Sequence, residues 1–365
     1  MEKLRVGIIG ATGMVGQRFI SLLADHPWFH VTCLAASARS AGKTYRDAVG
    51  NRWAFSWEIP AEAAGMTVLD AADVDAVSRH VDFVFCAVDM KKEEIRALEE
   101  SYARHEIPVV SNNSACRGLE DVPMVVPEIN ASHLDVIPTQ RRRLGCSHGF
   151  IAVKPNCSIQ SYVPALTPLL DFNPEAVSVC TYQAISGAGK TFKTWPEMVD
   201  NVIPYIGGED EKSEQEPLKL WGHVEDLGSG PVIVNAKAPV ISAQCLRVAA
   251  SDGHMAAVSV RFAKKVTKEQ ILERWAGYET EAQRLELPSA PKPFLQYFED
   301  PSRPQTRLDR DFQNGFGISI GRLREDRIFD WRFVCLSHNT IRGAAGGGIL
   351  TAELLTKKGY LTSRV

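Results

Sequence analysis

Residues 4–16 carry the sequence LRVGIIGATGMVG. The apolar run from Leu4 to Ile9 predicts a buried strand, and the apolar spacing of residues 19–23 predicts a helix after the glycines. Glycines here let the backbone approach a pyrophosphate, and the positive end of the helix attracts its charge. The stretch predicts the entry of a dinucleotide-binding α/β domain, with a tight turn that binds no ligand as the alternative. The candidate cofactor-binding residues are Gly10, Thr12, Gly13, Met14 and Val15.

The second predicted strand, residues 30–35, ends without the acidic residue that usually binds the ribose hydroxyls of NAD. The sequence SARSAGK follows at residues 37–43. Cationic and hydroxyl side chains at this point suit a 2′-phosphate, so NADP is favoured over NAD. The candidate contacts are Ser37, Arg39 and Ser40, and the alternative is a solvated basic loop.

Strands and helices continue to alternate after this point. Residues 81–88 and 108–110 are apolar runs, and residues 91–104 have helical spacing, which predicts a parallel sheet covered by helices. Ligands gather at the carboxyl ends of such strands. Arg117, in the sequence SNNSACR at residues 111–117, is therefore either an anion binder or an ordinary surface arginine. The three arginines at 141–143 predict a solvated loop.

The sequence KPNCS at residues 154–158 joins a short apolar run to a segment with helical spacing. A helix that begins at Asn156 or Cys157 would present unpaired N–H groups and the positive end of its dipole to the thiol. Both favour the thiolate, which is the nucleophilic form. Cys157 is a candidate nucleophile, although a cysteine at such a junction is more often a small buried residue.

Longer alternating strands follow, at residues 177–182, 255–262, 316–320 and 328–336. Alternation buries one face and leaves the other to solvent or to a partner subunit, so an antiparallel or mixed sheet is expected. Residues 207–215 are interpreted as a loop or a helix start, and the prolines between residues 288 and 304 as a long surface connection.

Several polar residues of this second part could contact a ligand. Gln183 could orient a carbonyl, and the turn that contains Ser186 and Gly187 could touch the cofactor, or these residues form a simple turn. Glu209 and Lys212 share a face if their segment is helical, which suits a zwitterionic substrate or a surface ion pair. Arg247 and His254 flank a turn, where a histidine can transfer protons, although lone histidines more often do no chemistry.

The tail, from His338, begins a helix rich in small residues that can pack closely against the first sheet. We therefore predict one domain at residues 1–155 plus 338–365, and a second at residues 156–337.

The charge, apolar runs and cysteine content of the chain exclude several classes of function. A net charge of −3 over 365 residues gives no general attraction to nucleic acid or to an anionic membrane. No apolar run reaches the ~18 residues needed to cross a bilayer, and the first predicted strand leaves no room for a signal peptide. Eight cysteines without a C-x-x-C pair predict neither a disulfide scaffold nor a metal site, and reduced thiols suggest the cytoplasm.

Together these motifs resemble the aspartate-semialdehyde dehydrogenase family, nearly from end to end. Its motifs are GATGMVG at 10–16, SARSAGK at 37–43, SNNSACR at 111–117, VPEIN at 126–130, KPNCS at 154–158, QAISGAGK at 183–190, the Arg247/His254 pair and NTIRGAAGGGIL at 339–350. The last motif and residues 209–220 look like the archaeal and fungal branch.

The resemblance implies a Rossmann-like NADP-binding domain plus an α+β catalytic and dimerisation domain with a mixed, largely antiparallel sheet. It implies the reversible, NADP-dependent reductive dephosphorylation of aspartyl phosphate to aspartate semialdehyde, in the pathway to lysine, methionine, threonine and isoleucine. Family enzymes are homodimers or homotetramers.

The resemblance also implies residue roles. Cys157 is the nucleophile that forms a thioacyl enzyme, His254 the acid–base group, and Gln183 helps to orient the acyl group. Arg117 and Asn156 match the phosphate site, and Lys212 a lysine near phosphate or substrate. Arg247 matches the arginine that pairs with the substrate α-carboxylate, and Glu209 the carboxylate that binds its amino group. Asn339 belongs to the cofactor-binding set.

Three alternatives remain open on the sequence. Malonyl-CoA reductase shares the fold and tail but would not need the same phosphate and amino-acid contacts. The N-acetyl-glutamyl-phosphate reductase family shares the two-domain organisation, and the Pro-Asn-Cys sequence argues against it. A non-catalytic NADP sensor would not need Cys157 or His254, and both are present.

Overall fold

The computed structural model describes residues 2–364, which form two main sheets joined by helices. The first sheet has the order β3-β2-β1-β4-β5-β6, and all its neighbours pair in parallel. Its strands are β1 Leu4–Ile9, β2 Phe29–Ala36, β3 Val68–Asp70, β4 Phe83–Cys86, β5 Val109–Ser111 and β6 Ile151–Val153. This doubly wound order confirms the predicted dinucleotide-binding architecture.

The second sheet has the order β13-β14-β15-β12-β7-β11-β8. Its strands are β7 Pro174–Gln183, β8 Val202–Ile203, β11 Val240–Val248, β12 His254–Phe262, β13 Leu295–Phe298, β14 Ile318–Glu325 and β15 Trp331–Ser337, and a separate hairpin comprises β9 His223–Asp226 and β10 Pro231–Val234. Four of its pairs are antiparallel, while β7–β11 and β13–β14 are parallel. The predicted mixed, largely antiparallel sheet is confirmed.

Helices pack on the first sheet and on one face of the second, whose strands β7 and β11 alternate between buried and exposed residues. The helices are α1 Met14–Leu23, α2 Tyr45–Val49, α3 Ala61–Ala64, α4 Val74–Ser78, α5 Lys92–Arg104, α6 Ile137–Leu144, α7 Ile159–Leu166, α8 Glu209–Leu220, α9 Lys268–Ala276, α10 Glu281–Arg284, α11 Thr306–Asp309 and α12 Gly346–Lys357. Short 3₁₀ turns lie at Gly50–Arg52, Ala131–Val136, Thr167–Phe172, Ile185–Ala188, Pro196–Met198 and Phe312–Gly315, and a π turn at Ile341–Ala345 precedes α12.

The turn between β1 and α1 requires glycine at two points. Gly10 has a φ of 92°, and a Cβ there would lie 2.4 Å from the carbonyl oxygen of Ala87. A Cβ on Gly16 would lie 2.3 Å from the carbonyl oxygen of Gly10. These glycines bring α1 close to the ends of β1 and β4, where a ligand of the sheet would sit.

Three local predictions are wrong. The arginines at 141–143 are largely solvated as expected, but they lie in the last turn of α6 rather than in a loop, because a positive cluster suits the carboxyl end of a helix. Arg143 pairs there with Asp121 and Glu100. The segment 288–304 is not wholly a surface connection: it contributes the edge strand β13, with Phe294 and Leu295 buried. The third is the helix start expected at Asn156 or Cys157, since the helix begins at Ile159 instead.

The C-terminal segment packs back onto the first sheet. Helix α12 contacts β5 and α1, and a Cβ on Gly348 would lie 2.9 Å from the Phe19 ring. The small residues of this helix therefore permit the predicted close approach. The predicted domain boundaries, 1–155 plus 338–365 and 156–337, stay a prediction.

A buried ion pair anchors the start of this segment. The Arg342 guanidinium donates to both carboxylate oxygens of Glu128, and Arg342 is only 1% exposed. Glu128 belongs to the sequence VPEIN, so the pair ties residues that are far apart in the chain. Arg342 also lies over the Phe294 ring, 4.7 Å from its centroid.

We expect Glu128→Gln to lower the free energy of unfolding by about 3–5 kcal/mol, because it leaves a buried guanidinium without its counter-charge. Denaturant-induced unfolding measures the difference. Asp171→Asn, which removes an exposed ion pair with Arg274, is the control and should cost less than about 1 kcal/mol. Equal effects of the two variants would show that the buried pair contributes no special stability.

Within residues 2–364, no helix is both long and apolar enough to cross a membrane.

Candidate active site

Two adjoining clefts lie at the carboxyl ends of the parallel strands. The first, of 810 Å³, is bounded by the glycine turn and by the loop after β2. The second, of 370 Å³, contains Cys157. Val88, Asp89 and Met90, which follow β4, line both clefts. The two therefore form a continuous groove from the glycine turn to the cysteine.

Most of the predicted cofactor residues line this groove. The first cleft is lined by Gly10, Thr12, Gly13, Ser37, Arg39 and Ser40, and the second by Val15, Ser186, Gly187 and Asn339. Met14 lines neither of the two clefts. Lys43 and Asp70 also line the first cleft. Because glycine backbone, a helix N-terminus and three cations, Arg39, Lys43 and Arg52, meet here, the residues fit a phosphorylated dinucleotide.

Asn339 connects the tail to the turn after β7. Its Nδ2 donates to the Ser186 hydroxyl at 2.8 Å, and its Oδ1 accepts from the Gly253 N–H at 2.8 Å. The tail therefore holds two turns of the second domain at the edge of the groove.

Cys157 lies before α7 rather than in its first turn. The helix begins at Ile159, so the thiol does not occupy the predicted helix start. Burial, followed by the charge of Glu209, raises the pKa of Cys157, while Lys154 and Arg247 oppose the rise. The pKa of this thiol is therefore raised rather than lowered, because burial and Glu209 outweigh the neighbouring cations.

The tail packs directly against the cysteine. A Cβ on Gly343 would lie 2.8 Å from the Cβ of Cys157. Any side chain at position 343 would push the cysteine out of place or cover it. The glycine in the sequence NTIRG thus has a steric role that connects the tail with the nucleophile.

His254 is completely buried at the start of β12 and points one nitrogen at the site. Its Nδ1 accepts a hydrogen bond from the Ala184 N–H at 3.1 Å, which places the proton of the neutral ring on Nε2. Nε2 has no hydrogen-bond partner among residues 2–364. Burial, followed by the charge of Arg247, holds the pKa of His254 well below its usual range. The ring is neutral and presents an N–H donor.

Gly187 separates His254 and Arg247 from open space. A Cβ on Gly187 would lie 2.8 Å from Arg247 Nη1 and 2.9 Å from His254 Nε2. Arg247 Nη1 also donates to the Ala184 carbonyl at 2.8 Å. Because Gly187 lines the cleft, a side chain at this position would collide with both groups, and the bare glycine lets them lie directly behind the wall of the cleft.

Glu209 is the centre of the polar cluster at the start of α8. Asn156 Nδ2 donates to both its carboxylate oxygens at 3.0 Å, and Lys212 Nζ donates to Oε1 at 2.8 Å. Gln183 Nε2 lies 3.3 Å from Oε2. Burial alone would raise the pKa of Glu209, but these donors outweigh it and hold the pKa below its usual range. Glu209 is a buried, ionised carboxylate.

Arg117 faces the same cluster from the first domain. Its Nη1 donates to Glu216 Oε1 at 2.9 Å, and its Nη2 donates to the Asn112 carbonyl at 2.9 Å. Glu216 Oε2 accepts from the Asn156 backbone N–H at 2.6 Å. Arg117 thus lines the same cleft as Cys157.

The structure brings nearly all the predicted chemistry-bearing residues together. Arg117, Asn156, Cys157, Glu209 and Lys212 line one cleft, while Gln183, Arg247 and His254 lie buried against its wall. The structure brings these residues together, and their individual roles stay predictions.

Two residues of the site carry no prediction from the sequence. Lys154 lines the cleft, and burial lowers the pKa of its ammonium group to about 7, with Arg117 as the next cause. Glu216 holds Arg117. Lys154 stands in the KPNCS motif and Glu216 lies seven residues after Glu209 on the same helix, so the motif and helical spacing could have indicated both.

Two family models match the chain. The model described as "Semialdehyde dehydrogenase, NAD binding domain" matches residues 5–137, and "Semialdehyde dehydrogenase, dimerisation domain" matches residues 166–342.

Curated relatives match over almost their full length. The aspartate-semialdehyde dehydrogenase of Schizosaccharomyces pombe is 45% identical over 98% of this chain and 99% of its own length. That of Archaeoglobus fulgidus is 44% identical over 97% of this chain and 98% of its own. Fungal and archaeal relatives both agree with the predicted branch.

A solved structure of similar shape is the aspartate-semialdehyde dehydrogenase of Candida albicans with NADP. It has a TM-score of 0.88 and 39% identity, and the match covers 98% of this chain and 100% of that chain. The combined matches in sequence and fold decide the family. The chain belongs to the aspartate-semialdehyde dehydrogenases.

Proposed function

We propose that this chain catalyses the reversible, NADP-dependent reductive dephosphorylation of L-aspartyl 4-phosphate to L-aspartate 4-semialdehyde. The observation that carries the proposal is the single groove in which Cys157 lies between a phosphate-type site and a dinucleotide-type site. This reaction belongs to the aspartate pathway to lysine, methionine, threonine and isoleucine. The relatives give the malonyl-CoA reductase alternative no support.

The covalent step uses Cys157. Its sulfur attacks the acyl carbon of aspartyl phosphate, the C–O bond to phosphate breaks, and a thioester forms. The leaving phosphate is received by Arg117 and by the Asn156 backbone N–H. Lys154, Arg247 and Arg117 surround the thiol and favour its ionised form, against the effect of burial.

His254 acts on the acyl oxygen. Its Nε2–H points at the site without a partner among the described residues, so it can donate to the oxygen as negative charge develops there. Bound NADPH would supply the hydride that reduces the thioester to a hemithioacetal, whose C–S bond then breaks to release the aldehyde and return the Cys157 thiolate. Gln183 lies beside Glu209 and orients the acyl group.

The substrate's amino-acid end is held by opposite charges. Glu209 is ionised and lines the cleft, which suits a substrate ammonium group. Arg247, behind Gly187, suits the α-carboxylate. Lys212 pairs with Glu209 and lies close enough to the cleft to contact phosphate.

The reaction is tested by mixing the enzyme with aspartate semialdehyde, phosphate and NADP+ and following NADPH absorbance. We expect reduction of NADP+ that depends on phosphate. Absence of this activity, together with NADPH oxidation by malonyl-CoA, would replace the proposal with the reductase alternative.

Arg39 is expected to select NADP over NAD. We predict that Arg39→Ala raises the KM for NADPH about tenfold or more and leaves the weaker use of NADH unchanged, because only NADPH carries the 2′-phosphate. Steady-state kinetics with both cofactors measure the difference. Arg79→Ala, at an exposed arginine of the same domain, is the control. Equal losses with both cofactors would assign Arg39 a structural role.

We also propose a homodimer or homotetramer built on the second domain, since residues 166–342 match a dimerisation domain. A cytoplasmic location is proposed because the eight cysteines are all free thiols. Size-exclusion chromatography with light scattering decides between dimer and tetramer.

A further inference from the structure

The carboxylate of Glu216 contacts the two groups that phosphate would need. Its Oε1 accepts from Arg117 Nη1 at 2.9 Å, and its Oε2 accepts from the Asn156 backbone N–H at 2.6 Å. The side chains of Arg117 and Glu216 are each only 10% exposed. The contact is therefore a sheltered, charge-assisted one rather than a solvated surface pair.

Phosphate and this carboxylate are alternatives at that position. Both are anions that accept hydrogen bonds, and two anions on the same donors would repel one another in a partly dry site. Phosphate can take the Arg117 Nη1 and Asn156 N–H donors only after Glu216 has left them.

Arg117 does not depend on Glu216 for its position. Its Nη2 donates to the Asn112 carbonyl at 2.9 Å. The backbone of the same loop is held by Lys219, whose Nζ donates to the carbonyls of Arg117 at 2.7 Å and Val122 at 3.0 Å. Arg117 Nε is buried with no partner among residues 2–364, and it remains available to an incoming anion.

A neighbouring cleft offers space for the displaced carboxylate. Glu216 lines a third cleft, of 820 Å³, which Arg117 also lines. Lys92, Lys212 and Lys219 line the same cleft, and Lys92 and Lys212 also line the active-site cleft. A turn of the Glu216 side chain further into this space would leave Arg117 Nη1 and bring the carboxylate towards Lys92 and Lys212.

We propose that Glu216 is an internal competitor of phosphate, which holds Arg117 and the Asn156 N–H in the resting enzyme and turns into the adjoining cleft when phosphate binds. The inference rests on the proposed function, because that function assigns phosphate to these donors. Glu216 is a positioning residue that sets phosphate affinity and does not take part in the covalent step.

The test compares the parent with Glu216→Gln and Glu216→Ala. Both variants remove the negative charge, so we expect the phosphate KM in the oxidation of aspartate semialdehyde to fall about three- to tenfold. The KM for aspartate semialdehyde should stay within about twofold. Inorganic phosphate should also raise the melting temperature of both variants at lower concentrations than it does for the parent.

Glu211→Gln is the matched control. Glu211 lies on the same helix and lines the same cleft, but its side chain is exposed and is not bonded to Arg117. Its removal changes the net charge equally and should leave the phosphate KM within about twofold of the parent. A similar fall in this variant would reduce the effect to general electrostatics and overturn the proposal.

Two further results would also overturn it. An unchanged phosphate KM in both Glu216 variants would show that the carboxylate does not compete, and a raised KM in both would show that it orients Arg117 for phosphate. An inactive parent would contradict the proposed function instead, and the melting-temperature series would still decide whether Glu216 opposes phosphate.

Discussion

Replacing Cys157 with alanine is expected to lower kcat for phosphate-dependent NADP+ reduction by about 10⁴-fold or more, because no other group can form the thioester. The cysteine lines the groove, and the neighbouring cations Lys154 and Arg247 act on its charge. Alanine keeps the Cβ that packs against Gly343, so the fold and the cleft should be preserved. Steady-state kinetics at saturating aspartate semialdehyde and phosphate measure the loss.

The control for this prediction is Cys180→Ala, which removes a partly exposed thiol on β7 outside the groove and should keep about the parental activity. NADPH binding, measured by fluorescence titration, should be unchanged in Cys157→Ala because the thiol is at the far end of the groove from Arg39. Activity that survives in Cys157→Ala would assign the cysteine a structural role and remove the covalent mechanism.

The second large effect is expected at His254. His254→Ala should lower kcat by about 10²–10⁴-fold, the usual contribution of a proton-transfer or oxyanion-stabilising group. The ring is buried, it is fixed by the Ala184 N–H, and its Nε2 faces the space beside Gly187. Removal leaves the developing charge on the acyl oxygen without its donor.

Because the thioester forms at Cys157, His254→Ala tests proton transfer separately from formation of the covalent bond. In rapid-mixing experiments on His254→Ala, we expect the steps that involve proton transfer to be slower. The affinity for NADPH should be unchanged. His223→Ala, in the exposed hairpin strand β9, is the control and should retain parental kcat. A loss below about threefold in His254→Ala would show that another group stabilises the oxygen.

The sequence predicts the first domain well because each of its signals is local. A buried strand, the turn with Gly10 and Gly16, and the helix that follows are adjacent in the chain, and their order is enough to predict a parallel sheet. The same reasoning finds no signal for β11, although it pairs with β7 over eight residues. Its neighbours are far away in sequence, and only the assembled sheet shows why it is a strand.

Sequence motifs predict most of the active-site residues one by one, but they do not predict the electrostatics of the site. The KPNCS motif indicates Cys157, but the direction of its pKa depends on burial and on Glu209, which lies 52 residues later. Glu209 and Lys212 are expected to share a face if their segment is helical; the segment forms α8, and Lys212 bonds to Glu209. That this pair is the buried centre of a polar cluster depends on Asn156 and Gln183, which no local pattern connects to it.

Glu216 shows the same limit most clearly. Glu216 follows a segment that the sequence leaves open as a loop or a helix start, and its contact with Arg117 spans 99 residues and two domains. Local patterns predict which elements form, and the packing of distant elements decides which charges meet.

The central claim is that Cys157 carries the acyl group. Mass spectrometry of the enzyme after mixing with aspartate semialdehyde and NADP+ in the absence of phosphate tests it most directly. The account predicts an aspartyl thioester on the peptide that contains Cys157. The thioester should disappear when phosphate is added, while the NADPH already formed remains. No adduct, or an adduct on another cysteine, would contradict it.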